Sequence, residues 1–350
     1  MNARGDSQTL QKPPDRPDTE TLGRFLSVEP ALKTSLDARL AQTEMRLRDC
    51  VRTAPAPRIT ALTSHLAVTG GKRLRPLMVL LSSEFGEPGR EGITRAAVVA
   101  ELVHLASLYH DDVLDHATTR HGVPSANALW GEKTAVRGGN WLLARSVRLS
   151  ADLGEQAVGC ALRATSRLVD GQLRELLGPS PGEDPVDHYF KVAEGKTGAL
   201  ISMSVAIGAL QAAAPQPYVE ALRAYGEQLG LAFQISDDIL DLTVPGDTTG
   251  KQQGKDLLGA VDSLPVLLAR ADTSADGAEL RTLLSSGPFT GPAAHLRALE
   301  LFQDSPALEQ AASYMQGRLT AAKKALTCLP SLPARRILYA LCDYIACRNF

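Results

Sequence analysis

The stretch "TRAAVVAELVHLASLYHDDVLD" (residues 94–115) holds neither Gly nor Pro and is apolar for most of its length, until three aspartates close it. Ala, Leu and Glu favour helix, and nothing inside the segment breaks the pattern, so it reads as one long helix. Its end is the anomaly: Asp111, Asp112 and Asp115 gather within five positions. Like charges one turn apart repel. Burying a carboxylate is costly unless something cationic meets it. The cluster is either a solvated helix end or a metal site, and the rest of the chain has to decide.

Working outward, the neighbouring segments are also helical. "WLLARSVRLSADLG" (141–154) runs to a Gly stop, and "SRLVDGQLRELLGPSPGEDP" (166–185) breaks at Gly-Pro and Pro-Gly. "DPVDHYFKVAEGKTGALISMSVAIGAL" (184–210) opens on an Asp-Pro that suits an N-cap and first turn. "PYVEALRAYGEQLGLAFQISDDILDLT" (217–243) is another long helix, followed by the Gly-rich loop "VPGDTTGKQQGKD" (244–256). Shorter helices fill the last third, split by "SSGPFTGPA" and "LPSLPA". No strand-like alternation persists. Segments such as "GALISMSVAIGALQAAA" (198–214) are apolar all round and belong in the middle of a bundle. The reading is one all-α domain over residues 26–350, a helical bundle able to enclose a deep apolar cavity, behind a polar, Pro-rich tail (1–25) expected to be disordered.

Composition narrows the function. With 350 residues, 44% hydrophobic and net charge −2, the chain can bury a large core and offers no basic surface for nucleic acid. The five cysteines are scattered, odd in number and without a CxxC pair, so neither a disulfide framework nor a zinc site is expected. No apolar run reaches transmembrane length and the N-terminus has no apolar signal region, which fits a cytoplasmic location.

A second acid cluster settles the first. In "FQISDDILDLT" (233–243), Asp237, Asp238 and Asp241 repeat the spacing of Asp111, Asp112 and Asp115. Positions i and i+4 share a helix face, so Asp111 pairs with Asp115 and Asp237 with Asp241. Four carboxylates converging from two helices make a hard-oxygen site, which suits Mg²⁺ better than zinc. One such cluster would read as capping acids; two on separate apolar helices do not. Cations then accumulate where phosphates would want them: Lys72, Arg73 and Arg75 in "GGKRLRP" (70–76), Arg120 after the first cluster, Lys196 and Thr197 in "EGKTG" (194–198), and Lys251 and Lys255 after the second. His104, two turns before Asp111, could hydrogen-bond a further anion. Gly70, Gly71 and Lys72 are not a P-loop, because the GxxxxGK[ST] spacing is absent.

With these residues in place the chain resembles the trans-isoprenyl (polyprenyl) diphosphate synthase family. The resemblance runs in order from "GGKRLRP" through "ELVHLASLYHDDVLDHATTRHGVPSAN", "GKTGAL", "YGEQLGLAFQISDDILDLT", "GKQQGKD" and "SLPVLLA" to "DYIACRN". It implies an all-α bundle around a central cavity, usually dimeric. It also implies the chemistry: an allylic diphosphate ionises, the double bond of isopentenyl diphosphate attacks the cation, and a proton leaves. By the same resemblance, Asp111, Asp115 and Asp237 would hold three Mg²⁺, with Asp241, Asp112 and Asp238 in support. Arg120, Lys196 and Lys251 would clamp the allylic diphosphate. Lys72, Arg75, His104 and His121 would grip isopentenyl diphosphate. Thr197 and Gln234 would turn oxygen dipoles to the cation, and Phe233 would lie against the isoprenoid.

Three positions depart from the family pattern: Arg120-His121 replaces Arg-Arg, Val261 replaces a Lys, and Gly139-Asn140 replaces Gly-Asp. The first implies a weaker condensing-substrate site and the second a weaker diphosphate clamp. A class I terpene cyclase and a non-catalytic regulatory subunit are the alternatives on the same fold. Retained Lys72, Arg75 and His104 oppose the first, and two complete acid clusters oppose the second. At the position where the family's short-chain members carry a bulky aromatic, this chain has Ala106 beside Ser107, which implies a product longer than twenty carbons.

Overall fold

Proline in the first two positions opens half of the described helices, because its fixed φ suits that place and its missing N–H has no partner there to lose. The structure is a computed structural model and describes residues 26–53, 56–244, 253–285, 287, 289 and 291–348. In chain order the helices are α1 (Pro30–Arg52), α2 (Pro57–Thr69), α3 (Leu74–Ser83) and α4 (Gly92–Leu114). After a β-hairpin come α5 (Ala126–Trp130), α6 (Glu132–Ala151), α7 (Glu155–Leu177) and α8 (Pro185–Ala193). A π turn (Glu194–Gly198) leads into α9 (Ala199–Gln211), followed by α10 (Gln216–Thr243) and α11 (Lys255–Leu258). Then α12 (Leu264–Ala271), α13 (Ala278–Ser285), α14 (Pro292–Gln303), α15 (Pro306–Ala325) and α16 (Pro333–Cys347) complete the all-α fold. Asp184 caps α8 by accepting from the Val186 and Asp187 amides, as the Asp-Pro signal predicts.

Every residue of α9 from Ala199 to Ala209 is buried, and α9 packs on α3, α4, α7 and α10. The all-apolar helix is thus the centre of the bundle. A second apolar cluster lies between α1, α2, α4 and α6, and includes Leu47, Leu66, Leu102, Ala106 and Leu142. A third gathers α12, α13 and α14 at the C-terminal end of α10. No described helix is long and apolar enough to cross a membrane. The tail 1–25 and Lys251 lie outside the described residues.

One element goes beyond the helical expectation. Thr119–Arg120 pairs antiparallel with Val123–Pro124. Two-residue strands are too short to show alternation. The turn itself is legible: His121 (φ 53) and Gly122 (φ 77) both sit at positive φ, the requirement of a type I′ hairpin.

Candidate active site

α4 and α10 bring the two acid clusters to a shared site, and each aspartate has a different environment. Asp111, on the last turn of α4, accepts a hydrogen bond from Gln172 Nε2 on α7. Burial pushes its carboxyl up to about 6; Lys196 opposes this, while Asp115 and Glu175 add to it. Asp115 is the exposed C-cap of α4. Asp112 is fully buried and takes Arg120 Nε at 2.6 Å and Nη2 at 2.5 Å. Burial raises its carboxyl too, and Arg120 holds it back.

The hairpin carrying Arg120 and His121 is fixed from both sides. His65 Nε2 on α2 donates to the Pro124 carbonyl at 2.8 Å, and its ring meets Trp130 edge-on. Ser125 Oγ and Asn127 Nδ2 both donate to the Ala117 carbonyl, at 2.6 and 3.0 Å.

On α10, Asp238 is buried and accepts from Tyr189 Oη (2.7 Å), Gln234 Nε2 (2.9 Å) and the Leu264 amide (3.2 Å). Burial still pushes it up to about 7, against those three donors. Asp238 therefore ties α10 to α8 and α12. Asp241 accepts at its two carboxylate oxygens from the Lys255 and Asp256 amides, at 3.2 and 3.0 Å. It caps α11 and pins the chain where it returns from the Gly-rich loop. Asp237 projects to the site, with Arg348 Nη2 at 2.9 Å. The Arg348 guanidinium lies over the rings of Phe233 (5.0 Å) and Tyr344 (5.8 Å).

The π turn presents Lys196 and Thr197 between α7 and α10. π turns are short insertions that aim side chains away from the regular helical register. Lys196 Nζ pairs with Glu175 on α7. Thr197 Oγ1 donates to Gln234 Oε1 at 3.0 Å, and the Gln234 amide nitrogen goes on to Asp238. One chain of dipoles therefore runs from the π turn to the second acid cluster.

Beside the acids stands a group of basic side chains. Arg75 Nε and His104 Nδ1 are buried with no hydrogen-bond partner. Burial lowers Arg75, while the charges of Glu101, Asp111 and Asp237 act the other way, which places it between the two clusters. Burial also takes His104 well below its ordinary value, followed by the nearby charges of Arg75, His121, Arg73 and Arg120. Lys72 and His121 are exposed beside them. Of the three departures, His121 joins this group, whereas Val261 and Asn140 are exposed. Arg73 turns away from the site into Glu44 and Glu101. Ala106 is fully buried, and Ser107 is nearly so, its Oγ donating to the His104 carbonyl at 2.8 Å.

Sequence reading missed Gln172, Glu175 and Arg348. The first two lie on the polar face of an amphipathic helix, where they read as solvent contacts. Arg348 is an isolated basic residue near the C-terminus. No local spacing rule marks any of the three.

The Polyprenyl synthetase family profile matches residues 56–299. The nonaprenyl diphosphate synthase of Mycobacterium tuberculosis is 40% identical over 89% of this chain and 91% of its own. Heptaprenyl diphosphate synthase component 2 of Geobacillus stearothermophilus is 35% identical over 91% of this chain and 99% of its own. Among solved structures, a geranylgeranyl pyrophosphate synthase of Corynebacterium glutamicum, complexed with calcium and isoprenyl diphosphate, superposes with TM-score 0.82 at 35% identity. That match covers 91% of this chain and 97% of the other.

Proposed function

The chain belongs to the polyprenyl synthetase family, and from that premise we propose a role for each side chain of the site. The protein is a prenyltransferase that lengthens an allylic prenyl diphosphate by condensing it head-to-tail with isopentenyl diphosphate. The observation that carries the assignment is the pairing of two acid clusters with two basic side chains, Arg75 and the neutral His104, each of which has a buried nitrogen without a partner. Such a site calls for a ligand that is itself polyanionic.

Asp111, Asp115 and Asp237 hold Mg²⁺, three ions by the family's pattern. The donor set fits: all donors are oxygens, and Asp111 is a largely buried carboxylate, raised chiefly by that burial, whose charged form a further cation would favour. Mg²⁺ takes one or two carboxylates and completes its shell with water and substrate phosphates. An ion held by these carboxylates would supply Lewis-acid stabilisation of the diphosphate's negative charge.

Arg120, held in place by buried Asp112, and Lys196 clamp the allylic diphosphate. Lys72, Arg75, His104 and His121 bind the second diphosphate. Thr197 and Gln234, already hydrogen-bonded, present fixed oxygen dipoles to the cation without reorganising. Buried α9 and the Phe233 ring keep water from it. Incubation with isopentenyl diphosphate and each of three allylic starters tests the assignment, with products sized. Turnover of the allylic partner that does not need isopentenyl diphosphate would instead indicate a cyclase.

The chain works as a dimer. Leu162, Val169, Leu173 and Leu176 are exposed on α7 at spacings of one face, beside exposed Val136 and Val147 on α6. An exposed apolar row of this kind supports a subunit interface. Similarity to a protein named component 2 favours a second reading, in which a different subunit meets this face. Sedimentation of the purified chain separates the two, since a monomer with low activity alone points to a missing partner.

A further inference from the structure

The three cations of "GGKRLRP" do not share one fate. Arg73 Nε donates to Glu44 Oε2 at 2.7 Å, and Nη1 to Glu101 Oε1 at 2.8 Å. Its Nη2 donates to the Ala67 carbonyl at 2.6 Å and to Glu44 Oε1 at 3.3 Å. Every guanidinium nitrogen is used. Glu44 lies on α1, Ala67 on α2 and Glu101 on α4, so three helices meet on one side chain at the start of α3.

The Arg73 backbone is as unusual as its side chain. It sits at φ 50, ψ 34, the left-handed region, two positions after Gly71. A non-glycine residue stays there only when its surroundings over-determine it. The three helices supply that constraint. Position 73 turns into these three helices, whereas Lys72 is exposed and Arg75 lies between the acid clusters with Nε buried and unpartnered.

We infer that Arg73 is a positioning residue, locked by Glu44 and Glu101 so that Lys72 and Arg75 face the diphosphate of isopentenyl diphosphate. Glu101 serves twice. It holds Arg73, and it stands one turn before His104 on α4, where its charge is the foremost one favouring the charged form of Arg75. Its Oε2 is buried without a hydrogen-bond partner, so its excess negative charge stays directed at this cation group. A lysine at position 73 would keep the charge but lose the planar fork that reaches Glu44, Glu101 and Ala67 together. The inference rests on the assignment of Lys72, Arg75 and His104 to that substrate.

Steady-state kinetics of Arg73→Lys and Glu44→Gln test it, with Lys72→Ala as the calibration. KM for isopentenyl diphosphate should rise about tenfold in both, the scale of one misplaced charge-assisted hydrogen bond. KM for the allylic diphosphate and kcat should stay within about twofold of wild type. A staple that served stability alone would lower the melting temperature and leave that split absent. Equal movement of both KM values, or an unmoved isopentenyl KM while Lys72→Ala raises it, overturns the positioning role. An isopentenyl KM unmoved in Lys72→Ala as well overturns the substrate assignment beneath it. Glu44 is partly exposed, so Glu44→Gln carries the test if Arg73→Lys does not fold.

Discussion

Gly171 on α7 and Gly195 in the π turn bring two backbones into direct contact: a Cβ on Gly195 would lie 2.8 Å from the Gly171 Cα and 2.7 Å from the Arg167 carbonyl oxygen. The same happens on the other side, where a Cβ on Gly230 of α10 would lie 2.7 Å from the Gly198 Cα. The turn is clamped between two helices by paired glycines. Each clamp abuts a site residue: Gln172 follows Gly171, Lys196 follows Gly195, Thr197 precedes Gly198, and Gln234 is one turn beyond Gly230. Gly195→Ala must push the helices apart, at a cost of about 1–3 kcal/mol. It should lower kcat at least about tenfold at temperatures where the variant is still folded, because sub-ångström placement of Lys196 and Thr197 is lost. Wild-type kcat in a folded Gly195→Ala protein would show that the close approach serves packing alone.

Asp237 and Arg348 yield a second prediction. Asp237→Ala should reduce turnover by several powers of ten, since aligned metals supply several kcal/mol to the transition state. Arg348 contacts the same carboxylate at 2.9 Å, so an entering cation competes with a guanidinium. Arg348→Ala should therefore tighten Mn²⁺ binding to the substrate-free protein by roughly threefold or more, read from the free-ion spin resonance signal. Unchanged or weaker binding would remove the competition.

His121 stands beside His104 and Arg75 at the tip of a rigid type I′ turn. A neutral imidazole lacks the permanent charge and forked donors of a guanidinium. His121→Arg should lower KM for isopentenyl diphosphate more than KM for the allylic partner. An unchanged or raised value for isopentenyl diphosphate contradicts this.

The long helices and the duplicated aspartates are legible in the sequence because their signals are periodic and local. Asp184-Pro185 marks a cap, Gly178 ends α7, and the all-apolar run after Gly198 is the buried centre. The site's supporting contacts are not local. Gln172 meets Asp111 across 61 positions, and Arg348 meets Asp237 from the far end of the chain. The π turn is invisible because "EGKTG" carries no pattern distinct from a helix, and its close glycine contacts with α7 and α10 are long-range in sequence. Arg73 and Arg75 look equivalent in "GGKRLRP", yet Arg73 is paired with Glu44 and Glu101 while Arg75 keeps a buried nitrogen without a partner.

His104 makes a pH prediction. Burial and the surrounding cations hold its folded value well below 6.5. Below that pH the unfolded chain binds a proton that the folded protein refuses, so stability falls with falling pH, at most about 1.4 kcal/mol per unit. Asp111 and Asp238 act in the opposite direction. Raised from 3.8 to about 6 and about 7, they keep protons in the folded state that the unfolded chain releases, so their contribution is lost as pH rises through that window. His104→Gln removes only the first effect. Denaturant titrations between about pH 6.5 and 5 should show the variant losing less stability than wild type. Equal slopes would mean that folding leaves His104 as basic as in the unfolded chain.

Product length should answer to Ser107 before Ala106. At about 100° per residue, Ser107 lies about 40° from Asp111 around α4, His104 about 20°, and Ala106 about 140°. A chain growing away from the metals therefore meets Ser107 one turn down, then Val103 and Ala100, which belong to the central core. Ala106 faces the other way, among Leu102, Tyr109 and Leu142 where α4 packs on α6, and its small side chain serves that packing. We propose a native product longer than twenty carbons, since the residue one turn below Asp111 on that face, Ser107, is small. Ser107→Phe should shorten the product with little loss of stability. Ala106→Phe should overpack the α4–α6 contact and cost about 1–3 kcal/mol, with a smaller change in length. Chromatographic sizing of the products together with thermal unfolding of both variants decides it. Unchanged length in Ser107→Phe places the floor elsewhere, and a wild-type product of fifteen or twenty carbons rules out the long-chain assignment.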